Sequence, residues 1–435
     1  TGNEDYLELA RYFLDQRGRD LELEIYPEGH RFSIYNEPTQ IQAHKPVLEQ
    51  EEAVGHAVRA MYMYAGMADV AALTGSESYI RAIGRLWENV VSKKMAVTGG
   101  LGARHDRERF GENYELPNLT SYNETCAAIG SVMWNHRLFL LHQDARYIDI
   151  LERTLYNAVI VGVSLEGDTF FYPNPLASDG KYRFNKGAAC RQPWFGTACC
   201  PGNIARFIPS MPGYIYASAG DGVYVNLFVT SEADIVLQES KVRILQKTGY
   251  PWEGKIQIDV SPTREEEFSL FVRIPGWARN RPVPSDLYRY RGAIRDQPLL
   301  AVNGKPVPME VIKGYAQIRR VWKKGDVVSV DFPMPVRRVL SHPNVEENAG
   351  KIALERGPLV YCVEGIDHGS RALDLSLAED PDVAVEFHPE LLGGIVVIKG
   401  DALLDGNPIE LAAIPYYAWS HRGVGEMSVW LNQNK

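Results

Sequence analysis

The chain has 435 residues, 45% of them hydrophobic, enough apolar material for several buried cores and an expected two to four domains. Its 46 Lys and Arg against 55 Asp and Glu give a formal charge of -9, which offers no electrostatic footprint for nucleic acid. No run reaches the roughly 18 apolar residues of a membrane helix, and residues 1–20 lack the zones of a signal peptide.

The first 210 residues read as helical. Tyr6, Leu7, Ala10, Phe13 and Leu14 form an apolar stripe at three- and four-residue spacing, and further helices are predicted over about 50–74, 77–95, 122–142 and 145–161. A weak repeat runs through them: Thr1-Gly2-Asn3-Glu4-Asp5-Tyr6-Leu7 returns as Thr74-Gly75-Ser76-Glu77-Ser78-Tyr79-Ile80, and more loosely at Gln143 to Ile148. A period near 70 residues suits a helical hairpin with a long loop, and stacked hairpins bury their inner faces against one another. The expected architecture is mainly α then all-β, beginning with an α/α toroid. Because the chain starts directly on a repeat helix, earlier hairpins are expected to lie outside it, leaving the C-terminal half of the barrel in residues 1–212.

From about residue 213 the texture turns to alternating strands: Gly222 to Val229, Ala233 to Gln238, Lys255 to Val260, Glu267 to Ile274 and Tyr315 to Trp322. A second group covers Lys351 to Glu355, Leu359 to Val363, Gly394 to Ile398 and Met427 to Leu431. Two β-sandwiches in tandem, 213–333 and 334–435, fit this pattern, divided at Pro333-Met334-Pro335.

Five cysteines are too few for a disulfide scaffold, and a bridge between the adjacent Cys199 and Cys200 is disfavoured by geometry, so metal or thiolate chemistry becomes the better reading. In Cys199-Cys200-Pro201-Gly202-Asn203, proline and glycine are expected to stop regular structure after the two sulfurs, with Asn203 capping a short helix beyond. Glu124 and Cys126 cannot both ligate from mid-helix, since residues two apart point to opposite sides; they must sit at a helix start. Ser121 and Glu124 make a capping-box pattern that would place them there. The alternative is plain: buried small thiols at 199 and 200, a capping carboxylate at 124 and a core thiol at 126. Cys190 could line the same region, and Cys362 in a strand reads as core.

Ordered motifs then add a resemblance. Thr98-Gly99-Gly100-Leu101-Gly102-Ala103-Arg104-His105, Glu108, Phe110-Gly111, Tyr114 to Asn118, Tyr122-Asn123-Glu124-Thr125-Cys126, Cys199-Cys200-Pro201, Arg273 to Trp277 and Ile414 to Trp419 together resemble glycoside hydrolase family 127, the β-L-arabinofuranosidase family. The resemblance implies an (α/α)6 barrel followed by β-sandwiches, and a retaining exo-acting hydrolase of terminal pentose-type sugars, foremost β-L-arabinofuranose. It implies zinc on Glu124, Cys126, Cys199 and Cys200, Cys199 as nucleophile, and Glu108 as acid and then base, its pKa raised by burial or nearby negative charge. His56, on the helix Ala53 to Leu73, and Tyr172 match positions that touch the sugar, with His105 a further substrate-binding candidate.

Thr197 and Gly202 depart from the family, which often has cysteine and a second proline there. Arg104, Arg107 and Arg191 would suit a carboxylated sugar, so an acidic branched pectin sugar is an alternative substrate. A carbohydrate-binding protein with structural zinc, or a toroid epimerase or lyase using His56 and Glu108, is a rival of a different class; a closed four-ligand zinc site ordinarily signals structure. Expected partners are a glycoside or oligosaccharide and a second copy in a homodimer. Thiolate ligands favour a cytoplasmic setting, with a periplasmic one open if a signal peptide precedes the chain.

Overall fold

The computed structural model describes residues 2–19, 27–30, 33–237, 240–378 and 382–433. Its helical part contains α1 (Glu4–Gln16), α2 (Ala57–Thr74), α3 (Glu77–Asn89), α4 (Thr125–His142), α5 (Ala145–Arg153) and α6 (Cys199–Phe207). The recurring motif marks the starts of α1, α3 and α5: Asn3, Ser76 and Asp144 are their N-caps, and the Asn3 and Asp144 side chains accept from backbone N–H groups two residues on. The stripe on α1 is only partly used. Leu14 is buried, whereas Tyr6 and Phe13 stay exposed, because no described element packs on that side.

The tightest helix contact joins α2 to α4. Ala57, Ala60, Ala68 and Ala71 keep one face of α2 low, and a Cβ on Gly130 of α4 would lie 2.8 Å from the Met61 Cβ. α4 is buried almost all round, as a central helix must be. The helix predicted from about residue 50 begins only at Ala57; α3 and α5 end in π-helical turns, Val90–Lys94 and Thr154–Val159.

Residues 216–331 form two sheets. Five strands run in the order Val311–Ile312, Tyr315–Trp322, Glu266–Arg273, Gly222–Val225, Tyr216–Ala219; six run Lys305–Pro306, Leu299–Val302, Asp326–Asp331, Lys255–Pro262, Ser240–Thr248, Ser231–Leu237. Val223, Val225, Leu270 and Val272 of the first share one core with Val242, Ile244, Ile258 and Val260 of the second. Gln238, predicted to end a strand, lies outside the described residues.

The C-terminal segment differs from the expected second pair of stacked sheets. Its strands belong to a single eleven-stranded sheet in which Lys351–Arg356, Leu359–Glu364, Asn407–Pro415, Ile395–Leu404, Ser376–Leu377 and Leu431–Gln433 pair in a closed circuit. A separate apolar core of Leu354, Tyr361, Leu377, Ile398, Leu411 and Leu431 goes with it, so closure removes the edges that two sheets would leave. Two outside strands join this sheet: Ala177–Asp179 from the helical segment and Tyr288–Tyr290 from the middle one. Tyr288–Tyr290 thus pairs with Val336–Ser341 across the division near residue 333. Among the described residues no helix is long and apolar enough to cross a membrane.

Candidate active site

Three helix N-termini converge on one spot, each delivering a polar side chain from its first residue or its cap. His56 is the N-cap of α2, not a residue within it: its Nδ1 accepts from the Arg59 N–H at 3.4 Å, which turns Nε2 toward Glu108 Oε2 at 3.2 Å. Glu124 is itself the N-cap of α4, with extended backbone and no side-chain cap bond. Its carboxylate is thus free to point off the helix end beside Cys126, which resolves the two-residue spacing. Ser121 does not complete a capping box; it accepts a hydrogen bond from Asn123.

Cys199 opens α6, with Ala198 as N-cap, and Pro201 occupies the first turn, where a missing N–H costs nothing. Proline and glycine therefore continue the helix instead of stopping it. Asn203 lies inside α6 and bonds Tyr62 Oη at 3.0 Å, so it is not a cap. The partial positive charges of these helix ends face an anionic cluster, the favourable sense of the dipole.

Glu124, Cys126, Cys199 and Cys200 bring one ligand atom each within 4.8 Å of the others. Cys199 Sγ lies 3.6 Å from Cys126 Sγ, 3.9 Å from Cys200 Sγ and 3.6 Å from Glu124 Oε1, and Cys200 Sγ is 3.5 Å from the same oxygen. A zinc tetrahedron with bonds of ~2.3 Å to sulfur and ~2.0 Å to oxygen has edges of roughly 3.5 to 3.8 Å. The four groups fit that ion. Glu124 Oε2 is buried without a hydrogen-bond partner among the described residues, and all five cysteines are free of disulfides. Cys190 and Cys362 stand apart, the latter in the core.

Hydrogen bonds from Cys126 and Cys200 hold the Cys199 thiol down at about 2, with Tyr172 and Glu124 adding to the effect against burial. The Cys126 thiol is pushed up chiefly by donating to Cys199, the Cys200 thiol chiefly by burial, and the Glu124 carboxyl by burial and then by Glu108 and Cys199. Without a cation the cluster keeps protons that a divalent metal would displace.

Glu108 stands beside this cluster: ligand atoms of His56, Glu108 and Glu124 lie within 4.8 Å of one another. Both Arg107 and Glu108 hold left-handed backbone, φ 56° and 57°, a strain concentrated at functional sites. The loop carrying them is pinned through the Thr98-Gly99-Gly100 motif, since a Cβ on Gly99 would meet Thr154 Oγ1 at 2.5 Å. Burial raises the Glu108 carboxyl, but hydrogen bonds from His56, Lys186 and Tyr122 outweigh it and leave it at about 2. This is the reverse of the raised pKa expected for an acid catalyst.

Tyr172 Oη lies 2.8 Å from Cys199 Sγ, and Tyr122 Oη donates to Glu108 Oε1 at 2.6 Å. His105 packs edge-on against Tyr122, centroids 4.7 Å apart. Lys186 escaped the sequence reading. Its Nζ donates to Glu108 Oε1 at 2.7 Å and sits 4.3 Å from the Tyr172 ring centroid. The tight Asn185-Lys186-Gly187-Ala188 turn was the available signal, but it marks a turn and not a contact 78 residues away.

The arginines proposed for a carboxylated sugar are engaged elsewhere. Arg104 forks onto Glu115 at 2.7 and 2.5 Å, Arg107 pairs with Glu37, and buried Arg191 donates to the carbonyls of Trp419, Val161 and Tyr417.

Residues 1–213 match the profile of the β-L-arabinofuranosidase GH127 catalytic domain, 222–334 the GH127 middle domain and 336–432 the glycoside hydrolase family 127 C-terminal domain. The chain is 34% identical to a non-reducing end β-L-arabinofuranosidase from Bifidobacterium longum subsp. longum, over 99% of this chain and 68% of that protein. A solved GH127 β-arabinofuranosidase is 50% identical with a TM-score of 0.92, covering 100% of this chain and 66% of its own. The GH127 β-L-arabinofuranosidase from Geobacillus stearothermophilus is 42% identical with a TM-score of 0.88, covering 100% and 70%. The chain thus spans about two thirds of the length of these relatives, and it belongs to glycoside hydrolase family 127.

Proposed function

We propose that this chain is a retaining, exo-acting hydrolase that releases a terminal β-L-arabinofuranose, with Cys199 as nucleophile and Glu108 as acid and then base. The observation that carries the reading is the exposure pattern of the cluster: Cys199 is exposed, whereas Glu124, Cys126 and Cys200 are buried. A purely structural zinc site would seal all four ligands. Glu124, Cys126, Cys199 and Cys200 would hold zinc, which supplies a permanently deprotonated, electron-rich sulfur.

Cys199 Sγ bonds to the anomeric carbon as the bond to the leaving oxygen breaks and Glu108 gives that oxygen its proton. Glu108 then takes a proton from a water whose oxygen bonds to the anomeric carbon as the carbon–sulfur bond breaks and Cys199 leaves as thiolate. Glu108 must first gain a proton. Lys186, whose side chain is 39% exposed, is the donor a sugar can displace, after which burial favours the neutral acid. His56, Tyr172 and His105 would bind the sugar, a reading supported by the contacts of His56 with Glu108 and of Tyr172 with Cys199. The engagement of Arg104, Arg107 and Arg191 favours a neutral sugar over an acidic one. We also infer that α1 to α6 form part of an (α/α)6 toroid, a reading supported by the motif marking alternate helix starts and by the meeting of the α2, α4 and α6 N-termini.

The test is Cys199→Ser assayed on a β-L-arabinofuranoside, with zinc measured on the same sample. Loss of turnover with zinc retained is the expected result; an active variant removes Cys199 from its role.

A further inference from the structure

A cleft of about 370 Å³ opens between the middle and C-terminal segments, and none of its lining residues belongs to the zinc cluster or its neighbours. Its size falls within the range of ligand pockets. One wall is the turn from Gly249 to Glu253, closed where the Trp252 and Glu253 N–H groups donate to the Gly249 carbonyl at 2.9 and 3.2 Å. Trp252 packs against both apolar cores, and Arg356 donates to its carbonyl at 3.0 Å, so the half-buried indole is held in place. The other wall is the strand Val383–His388. Val385 and Phe387, two residues apart and so on one side of that strand, are 45% and 54% exposed, and Val396, the register partner of Phe387, completes the lining.

We propose that this cleft is a sugar-binding site separate from the active site, which takes a stretch of neutral oligosaccharide. The inference concerns binding alone and does not depend on which bond the zinc site breaks. Two aromatic side chains from different segments line one small cleft, and the π faces of such rings attract the C–H face of a sugar. The charged groups cancel: Arg356 stands with Glu253, and Glu386 is held by Lys399 at 2.7 Å. A cleft without net charge selects neither a polyanion nor a cation, while its guanidinium and carboxylates offer donors and acceptors to hydroxyls. The Trp252 wall is fixed by packing before any ligand arrives, so little ordering on that side opposes binding. A second copy pairing along Val383–His388 would use the backbone edge of the strand and leave the hollow beside Trp252 unfilled.

Calorimetric titration of the zinc-loaded chain with a linear α-L-arabinan hexasaccharide, xylohexaose and trigalacturonic acid tests this, on the unaltered chain, the exposed variant Phe387→Ser and Trp252→Ala. At least one neutral hexasaccharide should bind, Phe387→Ser should weaken it about ten-fold, and the acidic trisaccharide should not bind. Trp252→Ala should weaken binding at least as much. Hydrolysis of 4-nitrophenyl β-L-arabinofuranoside by the unaltered chain should continue undiminished at saturating hexasaccharide. Absence of binding by both neutral compounds, binding unchanged in Phe387→Ser, or preference for the acidic compound overturns the site. Competition with the aryl glycoside places the sugar in the active site and overturns it too. A dimer in sedimentation runs that Phe387→Ser dissolves overturns the sugar site in favour of a second copy. If the unaltered chain does not turn over the aryl glycoside, the hydrolase reading fails, and the titrations still decide the cleft.

Discussion

Tyr172 Oη and Cys199 Sγ lie 2.8 Å apart, and the Tyr172 ring also packs edge-on against Phe195 with centroids 5.4 Å apart. The hydroxyl therefore serves the sulfur while the ring serves the core. Tyr172→Phe keeps the ring and removes only the hydrogen bond, so folding and zinc content should be unchanged while kcat/KM falls about 10- to 100-fold, the usual effect of losing such a supporting contact at a metal site. Kinetics alongside the melting temperature check this. Full activity in Tyr172→Phe would mean that the contact does nothing for the reaction.

The buried ligands should govern metal retention differently from the exposed one. Cys126→Ser should lose zinc and lower the apparent melting temperature, because it removes a sulfur at 2% exposure from the inner side of the cluster. Burial and mutual hydrogen bonding raise the Glu124, Cys126 and Cys200 pKa values, so binding must expel protons and affinity should fall as pH falls. Zinc titrations across pH, on the unaltered chain and Cys126→Ser, measure both effects. An affinity independent of pH would argue against thiolate ligation.

Glu108→Gln should separate leaving groups. An aryl glycoside that departs without protonation should retain most of its first step, whereas an alkyl or sugar leaving group should slow by about 10²- to 10⁴-fold, the usual worth of a positioned proton donor. Burst kinetics on the two substrates distinguish these steps. Equal slowing of the first step on both would indicate that Glu108 positions the substrate instead of protonating it.

The reach of the sequence follows from how local each signal is. Residues Glu124, Cys126, Cys199 and Cys200 were legible because their chemistry and their motifs both point to a metal, and strands such as Tyr315–Trp322 because alternation is a neighbour-to-neighbour property. His56 is expected within a helix starting at Ala53, but α2 starts at Ala57 and His56 is its N-cap, since the Ala-rich run blurs where the helix begins. Lys186 and the ring closure through Ile352 and Leu431 depend on contacts across 78 and 79 residues, with no local pattern to announce them. The capping box at Ser121 misled because a shorter route existed: Glu124 takes the cap position and thereby frees its own carboxylate.

The Arg273-Ile274-Pro275-Gly276-Trp277 motif carries a structural load that motif matching does not disclose. Arg273, 0% exposed, pairs with Asp149 at 2.8 Å and with Glu152, both on α5, and Tyr250 Oη donates to Glu152 at 2.7 Å. This buried network ties the first strand pair of sheets to the helical part. Arg273→Met should cost about 3 to 5 kcal/mol by leaving the buried Glu152 carboxylate without its cation, while Asp149 keeps Arg279 at 3.1 Å. Adding Glu152→Gln to Arg273→Met should recover part of the loss, because one stranded charge disappears. Urea unfolding of the single and double variants tests the sign of that coupling.

His136 gives the protein a specific acid weakness. On α4, its ring packs 4.6 Å from Tyr214 and its Nε2 is buried without a partner among the described residues. Burial, then the Arg137 charge, lowers its pKa to about 4. The unfolded chain protonates this histidine near 6.5. Between those values the unfolded state holds more protons than the folded one, so stability falls as pH drops from about 6.5 toward 4 and this contribution levels off below. His136→Phe keeps an aromatic ring in the site and cannot take up a proton. Relative to the unaltered chain, it should gain about 2 kcal/mol on going from pH 7.5 to 4.5. Parallel denaturation curves at the two pH values measure the difference, and a constant gap would show that His136 does not drive the acid limb.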